Sequence, residues 1–356
     1  MNVCPHQGVI QYADGWMVTS HDLVTEVALD DQTFSSATSR FLQIPNGLDG
    51  QDHDVFRALI DRYLTTERVD QLQEGFTQVA TTVVEDAVIK GDIDAVSVGA
   101  QFAVGATTTW LGWPKELGDE LVDWVHANWK ATRSGQLSQT AAVAAWYNSI
   151  IDGLVNERVA NPRDDVTTEL INDTFLGRRL TREEITSILR NWTAGDLGSM
   201  ALCIGVCMAH LAQDQPLQEE LRTGSLTVAG WHSIIDEILR LDDPFIANRR
   251  VATKDVTLGG LTIRAGERLY LNWTAANQDD RVFGGYDPHQ HADKNLVYGI
   301  GRHVCPGRYL ASEQLRIFLT TVLSTTAAIV PGQAPPTRAQ APAGGFSQVP
   351  LRLEVD

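Results

Sequence analysis

The stretch YGIGRHVCPGRYLA, Tyr298–Ala311, sets one cysteine among three glycines and a proline, just before a long helical pattern. Glycine permits backbone conformations and close approaches that other residues forbid. Gly299, Gly301 and Gly307 therefore let the chain turn several N–H groups toward a sulfur held at a helix start. Such donors, with the helix dipole, favour a thiolate. A thiolate at Cys305 is open to three chemistries: catalytic nucleophile, redox centre or soft metal ligand. A nucleophile needs a base, and His303, two residues away on an extended loop, falls on the opposite side. A packed cysteine in a glycine-rich turn is the plain alternative.

The elements that must position this loop are mostly helical. The 356 residues carry 43% hydrophobic and 21% charged side chains, enough to bury a large core. GVIQYADGWMVTS predicts a hairpin turning at Asp14-Gly15, and HDLVTEVALDDQTF a short helix. A further helix starts near Asp52, several follow between Val69 and Arg133 with a break at Trp110, Trp113 and Pro114, and another runs from Thr140 to Val159. In LTREEITSILRNWTAGDLGSMALCIGVCMAHLAQDQ, Thr181 and Glu184 form a capping box. That helix reaches some 30 residues, roughly 45 Å, and crosses the molecule. TVAGWHSIIDEILRL is helical, and VATKDVTLGGLTIRAGERLYLNW reads as strands with turns at Gly259-Gly260 and Ala265-Gly266. A helix follows Cys305, and VPLRLEVD closes the chain as a strand. The fold class is mostly α with small β-sheets, organised as a single unit over 1–356.

Composition narrows the function. With 28 basic against 45 acidic residues, net −17, the chain is unsuited to general nucleic-acid binding. Cys4, Cys203, Cys207 and Cys305 form no CxxC pair, which points away from a disulfide framework. The first residues show no basic region followed by an apolar run, and the most apolar stretch, MALCIGVCMAHLA, is short of the ~20 residues that span a bilayer. The expectation is a cytoplasmic protein without membrane attachment.

YGIGRHVCPG closely resembles the haem-binding loop of the cytochrome P450 family, with Tyr298 where the family usually has Phe. The resemblance extends from about Gly15 to the C-terminus and implies the P450-like fold, with haem b between the long central helix and the cysteine loop. It makes Cys305 the axial thiolate of the iron, the arrangement that favours O–O cleavage. It also implies that His303, Arg250 in ANRRVATKDVTLGG, and His53 and Arg57 in DGQDHDVFRAL contact the haem propionates. Two carboxylates attract inward-pointing His and Arg from separate elements. Glu237 and Arg240 in DEILRL match the family's buried Glu-x-x-Arg pair, a core support.

The central helix departs from the family. Its TAGDLGSMA places Leu197 where an acid belongs and Gly198 where the key Thr belongs; shifting the register by one restores the acid but not the threonine. Asp196 and Ser199 stand i, i+3 and can share a face. Gly195 and Gly198 each weaken a helix by ~1 kcal/mol relative to Ala, so the helix can open there. The catalytic expectation is that Asp196, with Ser199 or a water, supplies protons to the oxygen chemistry.

The implied activity is a haem-thiolate monooxygenase acting on a small or medium apolar organic molecule with O2. Electrons would come from a separate ferredoxin or flavodoxin-type donor, docking near Cys305 on Arg57, Arg62, Arg302, Arg308 and Arg316. The missing threonine keeps an H2O2-driven peroxygenase open; a haem-thiolate sensor without turnover and a cysteine hydrolase without haem are the readings from other classes. Segments around Phe41, Trp113 and Phe346 are candidates for substrate contact, Trp192 could face the substrate, and Cys203, Cys207, His210, His289 and His291 read as core or surface residues. Only 18 residues separate Phe34 from His53, where the family has room for a covering helix.

Overall fold

The computed structural model describes residues 8–355; Cys4 lies outside the described residues. The predicted long helix is present as one body, Arg182–Gln213, 32 residues or about 48 Å at 1.5 Å per residue. The capping box forms as expected, with Thr181 Oγ1 accepting from the Glu184 N–H and the Glu184 side chain accepting from the Thr181 N–H. This helix is not uniform. Arg182–Thr193 and Ser199–Gln213 are α, and Ala194–Gly198 between them is π. By length and composition it could cross a membrane, a stretch longer than the 13 residues that stand out in the sequence, but 67% of its apolar window is buried inside the protein. It is the axis of the core.

The closest neighbour of this axis is the helix Ala95–Leu111. Glycine sets their separation: a Cβ on Gly99 would lie 3.0 Å from Ala201 O and Ile204 Cβ, and one on Gly205 would lie 2.7 Å from Val96 Cγ2. The helices Gln73–Lys90, Val228–Leu241 and Arg308–Thr325 pack around them. The larger hydrophobic cluster fills this bundle, with Phe76, Phe102, Ile204 and Phe318 at its centre. A smaller cluster, including Val18, Val24, Phe34, Leu269 and Leu271, sits under the main sheet.

That sheet has five strands in the order Val9–Tyr12, Gly15–Val18, Arg268–Asn272, Ala247–Ala252, Phe34–Ser35, with one parallel pair, Gly15–Val18 on Arg268–Asn272. The hairpin turns at Ala13-Asp14, one residue earlier than expected, with Ala13 in the left-handed region at φ 47°. Gly259-Gly260 joins Val256–Leu258 to Leu261–Ile263 as predicted. The closing strand, Pro350–Glu354, pairs with Asp92–Asp94 and Ala328–Pro331. Between Phe34–Ser35 and the helix Gly50–Asp61 no helix forms. This connector rests on the central helix: the Ile44 N–H donates to Ser187 Oγ, which donates to Leu42 O.

Candidate functional site

Cys305 sits in a loop built to hold its backbone still. Gly299 and Gly301 take φ +70° and +75°, and a short 3-10 turn spans Gly301–His303. A Cβ on Gly301 would lie 2.9 Å from Leu29 Cδ2, so only glycine lets the loop press onto the helix His21–Leu29. The Cys305 N–H donates to Tyr298 O at 2.8 Å. Tyr298 tolerates its hydroxyl because Ser312 Oγ lies 3.2 Å from it. Burial pushes the Cys305 thiol up, and the Gly307 N–H, Arg57 and Arg308 offset only part of that. Nucleophile and metal ligand alike need the thiolate, so this shift does not choose between them. His303 is not a base for the thiol, because its Nε2 lies 3.1 Å from Ser36 Oγ and its ring packs on His53.

Four basic side chains predicted from separate stretches converge on this loop. The rings of His53 and His303 lie 4.3 Å apart. Arg250, 5% exposed, faces them from the strand Ala247–Ala252; its Nη1 donates to Arg249 O, but its buried Nε has no partner. Burial, then the positive charge of Arg250 and the nearness of His53, pushes His303 down to about 3. Burial lowers His53 also, with Arg57 and Arg302 adding to it against the pull of Asp54. Arg57 donates through Nη1 to Val304 O at 2.7 Å and Arg302 O at 3.3 Å, and through Nε to Asp61 at 2.6 Å. It thus grips the carbonyl that precedes the cysteine. Buried cationic donors without a buried anion are costly. The donor set therefore fits a ligand carrying carboxylates.

Glu237 and Arg240 form the predicted buried pair through two 2.8 Å bonds. Arg240 also donates to Asn277 O and Gly285 O, and Glu237 accepts from the Asp287 N–H and contacts His291 Nδ1 at 2.8 Å. The pair ties the helix Val228–Leu241 to the irregular segment that leads into the cysteine loop.

On the central helix, Asp196 and Ser199 are not brought together by a hydrogen bond. Asp196 is buried, and its Oδ2 accepts from Thr107 Oγ1 at 2.5 Å and from Gln314 Nε2 at 3.4 Å. Burial pushes its carboxyl up to about 6, against the pull of those two bonds. Ser199 is half-buried at the start of the second α segment. Ala194 and Gly195 are exposed in the middle of an otherwise buried helix, and a Cβ on Gly195 would meet nothing within 4 Å. The π-turn thus presents bare backbone to open space on one side and a carboxyl to the core on the other. Nothing in the local sequence pointed to Thr107 or Gln314, whose partnership depends on how three helices cross.

Several peripheral expectations are corrected. The five arginines near the loop are not a free basic patch. Arg57 is paired with Asp61, Arg62 with Asp173, Arg302 with Asp31 and Asp54, Arg308 with Asp236, and Arg316 with Glu313. Trp113 is core, its Nε1 donating to Thr167. Trp192 is buried against Trp110 and Tyr63, with ring centroids 5.2 and 5.4 Å away. Phe41 stays exposed and Phe346 half-buried. Cys207 is buried and Cys203 half-buried, in agreement with their reading as small core residues.

A family model described as Cytochrome P450 matches residues 130–355, more than half of the chain, from the helix Gly118–Ser134 through the cysteine loop to the closing strand. Among curated proteins, the chain is 29% identical over 339 residues to the probable cytochrome P450 127A1 of Sinorhizobium fredii, covering 90% of this chain and 80% of that one. It is 28% identical over 375 residues to nocardicin C N-oxygenase of Nocardia uniformis subsp. tsuyamanensis, covering 96% and 89%. Among solved structures, a P450 EryK mutant in complex with erythromycin B superposes with a TM-score of 0.87 at 22% identity, covering 98% and 93%.

Proposed function

The chain belongs to the cytochrome P450 family, and from that premise we propose that Cys305 is the axial thiolate of its haem b, with His53, Arg57, Arg250 and His303 around the propionates. The enzyme is a haem-thiolate monooxygenase in general character. The observation that carries the site assignment is the unpartnered Nε of buried Arg250 beside the facing imidazoles of His53 and His303. When bound, the haem would supply the oxidising centre for dioxygen chemistry, with Cys305 as the thiolate that would hold its iron. The chain's own residues do the rest. The Tyr298 carbonyl and the Arg57 grip on Val304 fix the direction of Cys305. The basic cluster orients the cofactor by charge, which Arg does better than Lys because its donors are planar and fixed. Asp196, its carboxyl raised to about 6, takes up and releases a proton in the mildly acid range and, with Ser199 or a water, passes it on to the oxygen side.

The substrate we propose is a small or medium apolar organic molecule. Exposed Phe245, which follows the Glu237–Arg240 helix, and the exposed Ala194-Gly195 backbone are uncharged surfaces suited to it. One of the relatives is a nocardicin C N-oxygenase. The enzyme is cytoplasmic and draws electrons from a separate ferredoxin or flavodoxin-type donor. A second reading, an H2O2-driven peroxygenase, is favoured by Gly198 at the position of the usual threonine. Assay of the purified enzyme separates them: turnover with O2 and a reductase system but not with peroxide alone supports the first, and peroxide-driven turnover with no gain from reductase supports the second.

A further inference from the structure

The five-residue π-turn Ala194–Gly198 interrupts the longest helix of the protein at the point where the helix is bare on one face. A π-turn is rare and occurs mostly as a single turn inserted in an α-helix. Two glycines flanking Asp196 weaken this stretch. Something outside the helix must therefore fix its backbone, and the side chains packed on it supply one candidate. Thr107, on the helix Ala95–Leu111, is fully buried and donates to Asp196 Oδ2 at 2.5 Å. Gln314, on the helix Arg308–Thr325, is also fully buried; its Nε2 reaches the same oxygen at 3.4 Å, while its Oε1 has no partner. No ion pair of Asp196 with Arg or Lys occurs among the described residues. A carboxyl at this depth without a cation depends wholly on these two donors.

We propose that Thr107 is a positioning residue: its hydroxyl, aided by the Gln314 carboxamide, clamps Asp196 on the core side of the π-turn and so fixes the backbone that Ala194 and Gly195 present to the cofactor. The inference rests on the haem reading for its consequence, not for the clamp itself. The chain has lost the helix-borne threonine at Gly198, and the hydroxyl that bonds the helix acid comes from the adjacent helix instead. Burial raises the Asp196 carboxyl to about 6, and the Thr107 and Gln314 bonds pull against that rise. Two of the three helices that meet here are the ones whose crossing is set by Gly99 and Gly205, so the clamp sits beside a tight backbone contact. A shift of the bond would be felt as a shift of the turn.

Three variants test it: Thr107→Val, which keeps shape but removes the donor; Thr107→Ser, which keeps the donor; and Asp196→Asn, which identifies the carboxyl. The first readout is the infrared C=O band of the protonated Asp196, taken on haem-free and haem-loaded protein. The second is the C–O stretch of the ferrous carbon monoxide complex, which reports the surroundings of the bound gas. The expected result is that Thr107→Val moves the carboxyl band to higher frequency, shifts the C–O stretch and raises peroxide leakage severalfold, with a lowered melting temperature that Thr107→Ser restores. Thr107→Ser returns all three toward the parent values. The proposal is overturned if Thr107→Val leaves the carboxyl band and the C–O stretch unchanged. It is equally overturned if Thr107→Ser shifts the C–O stretch as far as Thr107→Val does, since packing alone would then account for the effect. A parent protein that shows no haem-thiolate spectrum would contradict the haem reading, while the carboxyl band of the haem-free protein still decides the clamp.

Discussion

The imidazole rings of His53 and His303 face one another at 4.3 Å, tilted by 57°, although one lies on the helix Gly50–Asp61 and the other two residues before Cys305. The carboxylates nearest to them, Asp54 at 3.4 Å from His53 Nδ1 and Asp49 at 3.9 Å from His303 Nε2, are partly or largely solvent-exposed. With Arg250 beside them, the cluster has buried donors and no buried anion. This arrangement gains stability when a carboxylate-bearing cofactor enters.

Removing the cluster should therefore cost haem before it costs fold. Arg250→Leu and the double variant His53→Phe, His303→Phe are expected to purify with haem occupancy severalfold below the parent. Haem-free Arg250→Leu should melt at or above the haem-free parent, because it relieves a buried unpaired charge. Haem content per chain and melting of the haem-free forms check both halves.

The Glu237–Arg240 pair predicts the opposite order. Deleting one partner leaves a charge buried at about 1% exposure; without Glu237 the Asp287 N–H loses its acceptor, and without Arg240 the Asn277 and Gly285 carbonyls lose their donor. Glu237→Ala should destabilise by about 3–5 kcal/mol. Denaturant unfolding of the haem-free protein measures this, and a loss below about 1 kcal/mol would contradict a structural role.

Asp196 gives a pH dependence whose sign is fixed. Its carboxyl is raised in the folded protein from 3.8 to about 6, so the folded state holds the proton more tightly than the unfolded one. Its contribution is full below about pH 4 and is lost as pH rises through about 6. In Asp196→Asn that component disappears, and the stability curve between pH 4 and 7 gains an upward slope of up to about 1.4 kcal/mol per pH unit relative to the parent. Parallel curves for the two proteins would contradict the assignment. In the oxygen-driven reaction the same variant should lose at least about tenfold in product rate, whereas unchanged turnover and leakage in Ser199→Ala would remove the serine from the mechanism.

Electron delivery should be only weakly salt-dependent. Arg57, Arg62, Arg302, Arg308 and Arg316 each face a carboxylate of the same chain. Donor-dependent reduction should fall by less than about threefold between roughly 20 and 300 mM salt, where a free basic patch would produce a steep loss. Stopped-flow reduction at several ionic strengths checks this.

What was legible in the sequence was whatever short patterns encode. The glycines around Cys305, Glu237 and Arg240 three residues apart, the Thr181–Glu184 box and Gly259-Gly260 each carry their geometry in a few adjacent residues. Contacts between distant elements were not legible. Asp196 looked like a partner for Ser199 by helical spacing, but a π-turn shifts the phase of the faces, and Thr107 and Gln314 reach it from other helices. Arg62 and Arg302 looked free because their carboxylates, Asp173 and Asp31, lie far away in the chain. Trp113, next to a helix break, read as a candidate for substrate contact and instead closes the core through Thr167. The hairpin turned early because Ala13 accepts a left-handed conformation that composition assigns to glycine.

The role of Cys305 is tested most directly by the absorption spectrum of the dithionite-reduced protein with carbon monoxide, recorded beside Cys305→Ser. A strongly red-shifted Soret band in the parent, absent in the variant, is the predicted result. A parent protein that takes up no haem, or one whose red-shifted band survives in Cys305→Ser, would contradict it.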